Sequence, residues 1–353
     1  MAVRPWFRLA SALLVAASLS LTAAPARTEQ RSGEASASAS LPSWRQGPAR
    51  ERLLDFLRTV TMEGGEGYVP PEERIAVFDN DGTLWSEQPM YVQLAFAIER
   101  ARLLALERPE LAAHPVVAAA IGPDGEARVR TLGMEGLLEL VGLTHAGMST
   151  DAFTDLARAW IRSACHPTLR RPYTSLLYTP MRELLDLLRA NGFRTYIVSA
   201  GGSAFMRVIS EELYGIPPEQ VIGSSIRTRY ALQNGRPVIL REAGLEVLTD
   251  GPTKPLLIER VIGRPPIAAF GNSDGDREML AWTTSFPGAR LGMLIHHDDA
   301  EREVAYDRRS AFGRLDRALD EASGRGWTVV SMRDDWAQVF PELDAAAASQ
   351  ACP

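Results

Sequence analysis

The residues of this chain best suited to chemistry stand at the ends of apolar runs. RIAVF (74–78) ends at Asp79 and Asp81, FRTYIV (193–198) ends at Ser199, and PIAAFG (266–271) ends at Asn272, with Asp274 and Asp276 just beyond. Two aspartates two positions apart repel each other unless something positive sits between them. Clustered oxygen ligands of this kind favour magnesium, which keeps several waters and binds through one or two carboxylates. A lysine and a hydroxyl would complete a site for a phosphoryl group by meeting its remaining oxygens. Ser199 supplies the hydroxyl. Lys254 supplies the ammonium, and it is the only lysine among 38 basic residues. The backbone N–H groups of Ala200, Gly201 and Gly202, read as opening a helix, would add an anion site.

Short apolar, β-branched runs read as buried parallel strands, and ligands in open parallel sheets sit beyond the carboxyl ends of such strands. Four polar groups converge if the three strands are neighbours. Around them strands alternate with helices. ARERLLDFLRTV has helical spacing, MRELLDLLRANG is a helix stopped by Asn191-Gly192, and KPLLIERVIG is a helix that begins at Lys254. AGGSAFMRVISEEL reads as a glycine turn opening one helix, and RYALQNGRPVIL as a hairpin turning at Asn234-Gly235. RLGMLIH and WTVVSM are further strands. The alternation implies a mostly parallel sheet covered on both faces. Residues 88–165 break it: MYVQLAFAIERARLLAL and TDAFTDLARAWIRSA are amphipathic helices, the second capped by Ser149 or Thr150.

In order and position, DNDGT (79–83), Ser199, Lys254 and GNSDGD (271–276) resemble the four motifs of the haloacid dehalogenase superfamily, in its phosphoserine-phosphatase-like branch and its exported bacterial members. The resemblance covers about residues 72–340. It implies an α/β fold with a Rossmann-like parallel sheet and an inserted, mostly helical cap. Domain boundaries on this reading are a signal peptide at 1–26, a flexible tether at 27–48, a core of 49–86 and 176–345, and a cap of 87–175. The implied chemistry is magnesium-dependent hydrolysis of small phosphomonoesters. Asp79 would be the nucleophile that forms an aspartyl phosphate, Asp81 the acid and then the base, and Thr83 a support for the Asp81 loop. Ser199, Ala200, Gly201 and Lys254 would bind the phosphate, and Mg2+ would lie against Asp79, the backbone of Asp81, and Asn272, Asp274 or Asp276. Asp81 disfavours carbon–halogen hydrolysis, because halide leaves without a proton.

Two departures matter. The family's last motif usually begins with a metal-binding aspartate, and here that position is Asn272. Glu87 lies one residue short of the place where the phosphoserine phosphatases keep a glutamate for the substrate amine, so both an amine contact and a plain hinge residue stay open. Trp85 is a candidate for the substrate pocket or for the core. The rival functions are a phosphotransferase or mutase on the same site, and an inactive protein that keeps the fold and binds phosphate.

The remaining signals are weaker. HHDDAERE (296–303) looks like a metal cluster, but adjacent histidines on an extended segment point to opposite sides; a loop running into an acidic helix start is the plainer reading. A net charge of −6 offers no basic surface for nucleic acid. The first 26 residues, with Arg4 and Arg8 before an Ala- and Leu-rich stretch, read as an export signal, which makes the mature protein periplasmic or secreted with no stable membrane anchor. Cys165 and Cys352 could pair, though nothing in their spacing requires it. Substrate identity and oligomeric state stay open.

Overall fold

The computed structural model describes residues 41–343 and Cys352. A first helix, α1 (Pro48–Thr61), buries Leu53, Phe56, Leu57 and Val60 on one face, the spacing of a stripe on a 3.6-residue repeat. The residues just before it are packed too. Leu41 and Trp44 are buried, and the Trp44 indole N–H donates to the Pro180 carbonyl at 2.9 Å. The predicted tether therefore ends before residue 41: two large apolar side chains inside a Ser- and Ala-rich stretch were enough to dock it. The predicted signal peptide lies outside the described residues, and no helix of the described residues is long and apolar enough to cross a membrane.

Seven strands form one sheet: β1 (Ile75–Phe78), β2 (Arg194–Gly202), β3 (Val221–Gln233), β4 (Arg236–Val247), β5 (Ala268–Gly271), β6 (Leu291–His296) and β7 (Thr328–Ser331). Their order is β4-β3-β2-β1-β5-β6-β7, parallel throughout except for the β3–β4 hairpin. The hairpin turns at Asn234 and Gly235, with φ of 52° and 78°, as a type I′ turn requires. The three strands expected to carry the site are neighbours: Phe78 pairs with Ile197 on one side and with Phe270 on the other.

Alternation along each strand divides the core. Ala76 and Phe78 face one side with Phe270 and Met293, where the Phe78 and Phe270 rings stack at 4.4 Å. That side is covered by α1 and by α7 (Thr179–Ala190) through Met181, Leu184 and Leu188. Ile75 and Val77 face the other side with Val198 and Ala269. There the cover comes from α10 (Thr253–Ile262), α11 (Arg277–Thr284) and α12 (Arg317–Arg325).

Between β1 and α7 the elements are all helical: α2 (Val92–Glu107), α3 (Pro115–Ile121), α4 (Gly125–Thr131), α5 (Gly133–His145) and α6 (Thr150–Ser163), with 3-10 segments at Pro109–Ala113 and Tyr173–Ser175. Ser149 is the cap of α6, its hydroxyl accepting from the Ala152 N–H at 3.1 Å. Leu94, Ala97 and Ile98 of α2 share a separate small core with Val116, Val117 and Leu140. Both ends of this insertion are stitched together beside β1, where Ser86 N–H donates to Leu176 and Tyr178 N–H to Leu84. Cys165 is joined to Cys352 by a disulfide with Cα atoms 5.7 Å apart.

One local expectation fails. β2 runs on through Gly202, and the helical stretch after it is broken into α8 (Ser203–Met206) and α9 (Ser210–Tyr214). Residues 200–202 stay in the strand because Gly202 pairs again with Ser224 of β3 past a bulge. The last short helix, α13 (Met332–Asp335), follows β7.

Candidate active site

The first motif is a tight loop. The Asn80 carbonyl accepts from the N–H groups of Thr83, Leu84 and Trp85, and Gly82 N–H donates to Trp85. Gly82 sits at φ 79°, and a Cβ there would collide with Asn272 Nδ2 and Glu87 Oε1. Left-handed backbone costs a non-glycine residue about 1–2 kcal/mol before any clash is counted. Gly82→Ala is therefore expected to lower stability by more than that amount in a denaturant titration, and to disturb the Asp81 loop enough to cut turnover.

Lys254, on the first turn of α10, is 2% exposed and bridges two carboxylates: its Nζ lies 2.6 Å from Asp79 Oδ1 and 2.6 Å from Asp276 Oδ1. The other oxygen of Asp276 accepts from the backbone N–H groups of Asn272 and Ser273 at 3.0 and 3.1 Å, so Asp276 holds the lysine and its own turn together. Burial alone would drive the proton off the ammonium, but the charges of Asp276 and Asp79 outweigh it and hold Lys254 above its ordinary value. Asp79 is pushed up by burial, opposed by Lys254 and helped by Asp276. Asp81 stands half-buried in the cavity wall, its Oδ1 accepting from the Trp85 indole at 2.8 Å; burial raises its carboxyl too.

Asp79, Asp81, Ser199, Ala200, Gly201 and Lys254 line one cavity of about 150 Å³ at the carboxyl edge of the sheet. The structure places these sequence-predicted residues around one cavity. The sequence did not foresee their backbone bonding. Gly201 N–H donates to Ser199 Oγ at 3.1 Å and Gly202 N–H to Gln93 Oε1 at 2.7 Å, so the expected helix-start anion site at Ala200–Gly202 is replaced by an extended strand end.

Three further expectations need correction. Asp274, a predicted metal ligand, points away: its Oδ1 accepts from the Asp316 and Ala318 N–H groups at 3.0 Å each and so ties down the start of α12. In the Asp274–Asp276 3-10 turn the two acids diverge, and only Asp276 reaches the lysine. Trp85 is buried in the core and touches Asp81, not the cavity. Residues 298–303 form turns, not a helix start.

Asn272 is fully engaged. Its Oδ1 accepts from Thr83 Oγ1 at 3.0 Å, and its Nδ2 donates to Glu87 Oε1 at 2.7 Å. Tyr306 donates to the same Glu87 oxygen at 2.7 Å. Glu87 is thus a fixed wall of the site, raised well above its ordinary value by burial first, with Asp81 and Asp79 adding to it. Behind it lies a pair that sequence reasoning missed. His297 Nε2 meets the Gly82 carbonyl at 2.7 Å, and its Nδ1 meets Glu303 Oε2 at 3.1 Å. The other Glu303 oxygen accepts from Ser86 and Tyr178. Against the upward push of burial, His297, the Ser86 hydroxyl and the Val304 N–H hold Glu303 below its ordinary value. The available signal was the HHDDAERE run itself, in which the second histidine and the last residue are the buried pair.

The donor set suits a hard cation. Asp79, Asp81 and Glu87 are each raised by burial, and Asp79 and Glu87 also by neighbouring carboxylates, so a divalent ion between them would relieve all three. No three His, Cys, Asp or Glu side chains among the described residues form a ligand cluster by themselves. Backbone and amide oxygens and water would have to complete it, the habit of magnesium.

A parallel α/β sheet with an acidic, lysine-bearing cavity at its carboxyl edge and a helical insertion above defines the class. The family model described as haloacid dehalogenase-like hydrolase matches residues 76–281, and the chain belongs to that family. Among solved structures, a conserved protein of unknown function from Anaerococcus prevotii DSM 20548 is 17% identical, covering 71% of this chain and 86% of its own, with TM-score 0.48. A protein of unknown function from Bordetella pertussis Tohama I is also 17% identical, covering 73% and 98%, with TM-score 0.47. A phosphoserine phosphohydrolase-like protein from Francisella tularensis is 15% identical, covering 71% and 98%, with TM-score 0.39. No curated protein matches the chain. The assignment rests on the family model, since overall likenesses this distant decide nothing about chemistry.

Proposed function

We propose that the chain hydrolyses small phosphomonoesters with magnesium, through a covalent aspartyl phosphate. One observation carries this reading: Asp79 faces Lys254 at 2.6 Å on the floor of a cavity that Asp81 and Ser199 also line. Asp79 attacks phosphorus; the bond from phosphorus to the alcohol oxygen breaks, and Asp81 gives that oxygen a proton. Asp81 then takes a proton from water, the water attacks the phosphoryl group, and phosphate leaves while the Asp79 carboxylate is restored. Burial raises the Asp81 carboxyl, and a raised carboxyl is better suited to the first of these tasks, because it gives up its proton less readily to water and keeps it for the leaving oxygen. Lys254 and the Ser199 hydroxyl stabilise the charge on the phosphoryl oxygens. Asp79 and the backbone carbonyl of Asp81, with water, would hold magnesium, which would neutralise phosphoryl charge when bound; the Asn272 oxygen would have to leave Thr83 to join them. Asp276 and Thr83 position the lysine and the loop.

The test is a panel of phosphomonoesters assayed for phosphate release with and without magnesium, on protein lacking residues 1–26. Release that depends on magnesium is expected; none across a broad panel would remove the hydrolase reading. An exported location belongs to the same proposal, supported by the disulfide, a bond that persists in oxidising compartments. Fractionation of the source cells with an antibody to the chain would check it.

A pH effect on stability follows from the same carboxylates. A group whose folded pKa is raised stabilises the fold fully below its unfolded pKa and loses that contribution as pH rises through the folded value. Asp79, raised to about 8, makes the magnesium-free protein less stable at pH 8 than at pH 5, and Asp81 and Glu87 act in the same direction. The carboxyls held low, such as Glu303, lose their contribution only in more acid solution. Thermal melts at both pH values, with and without magnesium, should show the difference, and magnesium should reduce it.

A further inference from the structure

We propose that the cavity selects phosphate esters of small, neutral, apolar alcohols and rejects esters whose alcohol carries its own anionic group. The inference rests on the phosphomonoesterase reading and concerns the half of the cavity that would hold the leaving group. That half is roofed by the insertion: Leu94 of α2 and Leu137, Leu138 and Val141 of α5 close it, with Leu248 below. Among the described residues that line the cavity, Lys254 is the one cation, and two carboxylates already share it. The other ionisable carboxyls of the wall, Glu87 and Asp250 beyond the catalytic pair, are acidic. A carboxylate or second phosphate on the alcohol would meet leucines and acids with no counter-charge, and an unpaired buried charge is strongly disfavoured. Size sets a second limit. An apolar cavity of roughly 150 Å³ holds a molecule the size of benzene, and this cavity of about 150 Å³ must also seat the phosphoryl group.

A neighbouring cavity of about 290 Å³ shares Gln93, Leu138, Val141 and Ala200 with the first, and it contains Arg207 and Arg241. Arg207 is exposed and Arg241 buried, and both guanidinium groups are already engaged. Arg207 donates to the Pro218 and Val221 carbonyls, and Arg241 donates to His145 while lying over the Phe153 ring at 4.0 Å. A longer apolar chain has room to continue there; an anion would have to break these bonds first.

The experiment compares kcat/KM at pH 7 with magnesium for ethyl, butyl and phenyl phosphate against phosphoglycolate and phosphoserine. Butyl phosphate should exceed ethyl phosphate by about 10-fold or more, the range for added methylenes in an apolar pocket. The two anion-bearing esters should fall below butyl phosphate by on the order of 100-fold. Leu138→Ala should raise KM for butyl phosphate with little change in kcat, the pattern of lost uniform binding, and Leu138→Arg should move preference toward phosphoglycolate. Turnover of phosphoglycolate or phosphoserine at or above that of butyl phosphate overturns the proposal while leaving the phosphatase reading intact. No release from any ester removes that reading and the proposal with it.

Discussion

Asp79→Asn should reduce phosphate release by on the order of 10⁴-fold or more, the scale of losing a covalent nucleophile, while leaving the melting temperature close to that of the parent. The amide is isosteric and can still accept a hydrogen bond from Lys254, which lies 2.6 Å away. Asp81→Asn should behave differently. A positioned acid or base contributes about 10²–10⁴-fold, and an ester with a good leaving group needs its protonation least. With p-nitrophenyl phosphate the Asp81 variant should release nitrophenol in a burst and then stall, because the base for the second step is missing. Steady turnover by either variant at the parent's rate would dismiss the roles given to these residues. An inactive phosphate-binding protein would show no change with Asp79→Asn, because there would be no turnover to lose.

The second large effect is on stability. Lys254→Met should cost about 3–5 kcal/mol at neutral pH, the penalty for stranding a buried charge, because the substitution leaves Asp79 and Asp276 facing each other without a counter-ion. The loss should shrink as pH falls. Asp79, already raised by burial, would lose the ammonium that holds it down, and a group with a raised folded value regains its contribution in acid. Lys254→Arg should not rescue activity: a planar fork does not fit a 2% exposed position shaped around a point charge between two oxygens. Urea titrations at two pH values measure the first effect and phosphate release the second. A stability difference that stayed constant with pH would argue against the ion-pair account.

Local sequence was informative wherever one element sufficed. The strands ending at Phe78, Val198 and Phe270 were legible because an apolar run stopping at a polar residue is a local signal, and the Asn234-Gly235 turn is legible for the same reason. What failed to appear depended on partners distant in sequence. Asp274 and Asp276 look equivalent, and only the arrival of α12, some forty residues later, takes one of them out of the site. Glu87 was placed near the substrate or at a hinge, because its bonds to Asn272 and Tyr306 span 185 and 219 residues. His297 was weighed as a metal ligand, when its partners are a backbone carbonyl and Glu303. Leu41 and Trp44 were visible apolar residues outweighed by the serines and alanines before them, a case of composition masking two anchors.

A chain with one lysine also has one side-chain primary amine, and here it is buried in the wall of the catalytic cavity. Among the described residues no other side chain offers a primary amine, so a reagent that acylates side-chain amines there reaches the chain only through the cavity that Lys254 lines. Any inactivation by such a reagent would report opening of the cavity floor itself, and a bound phosphate analogue should prevent it.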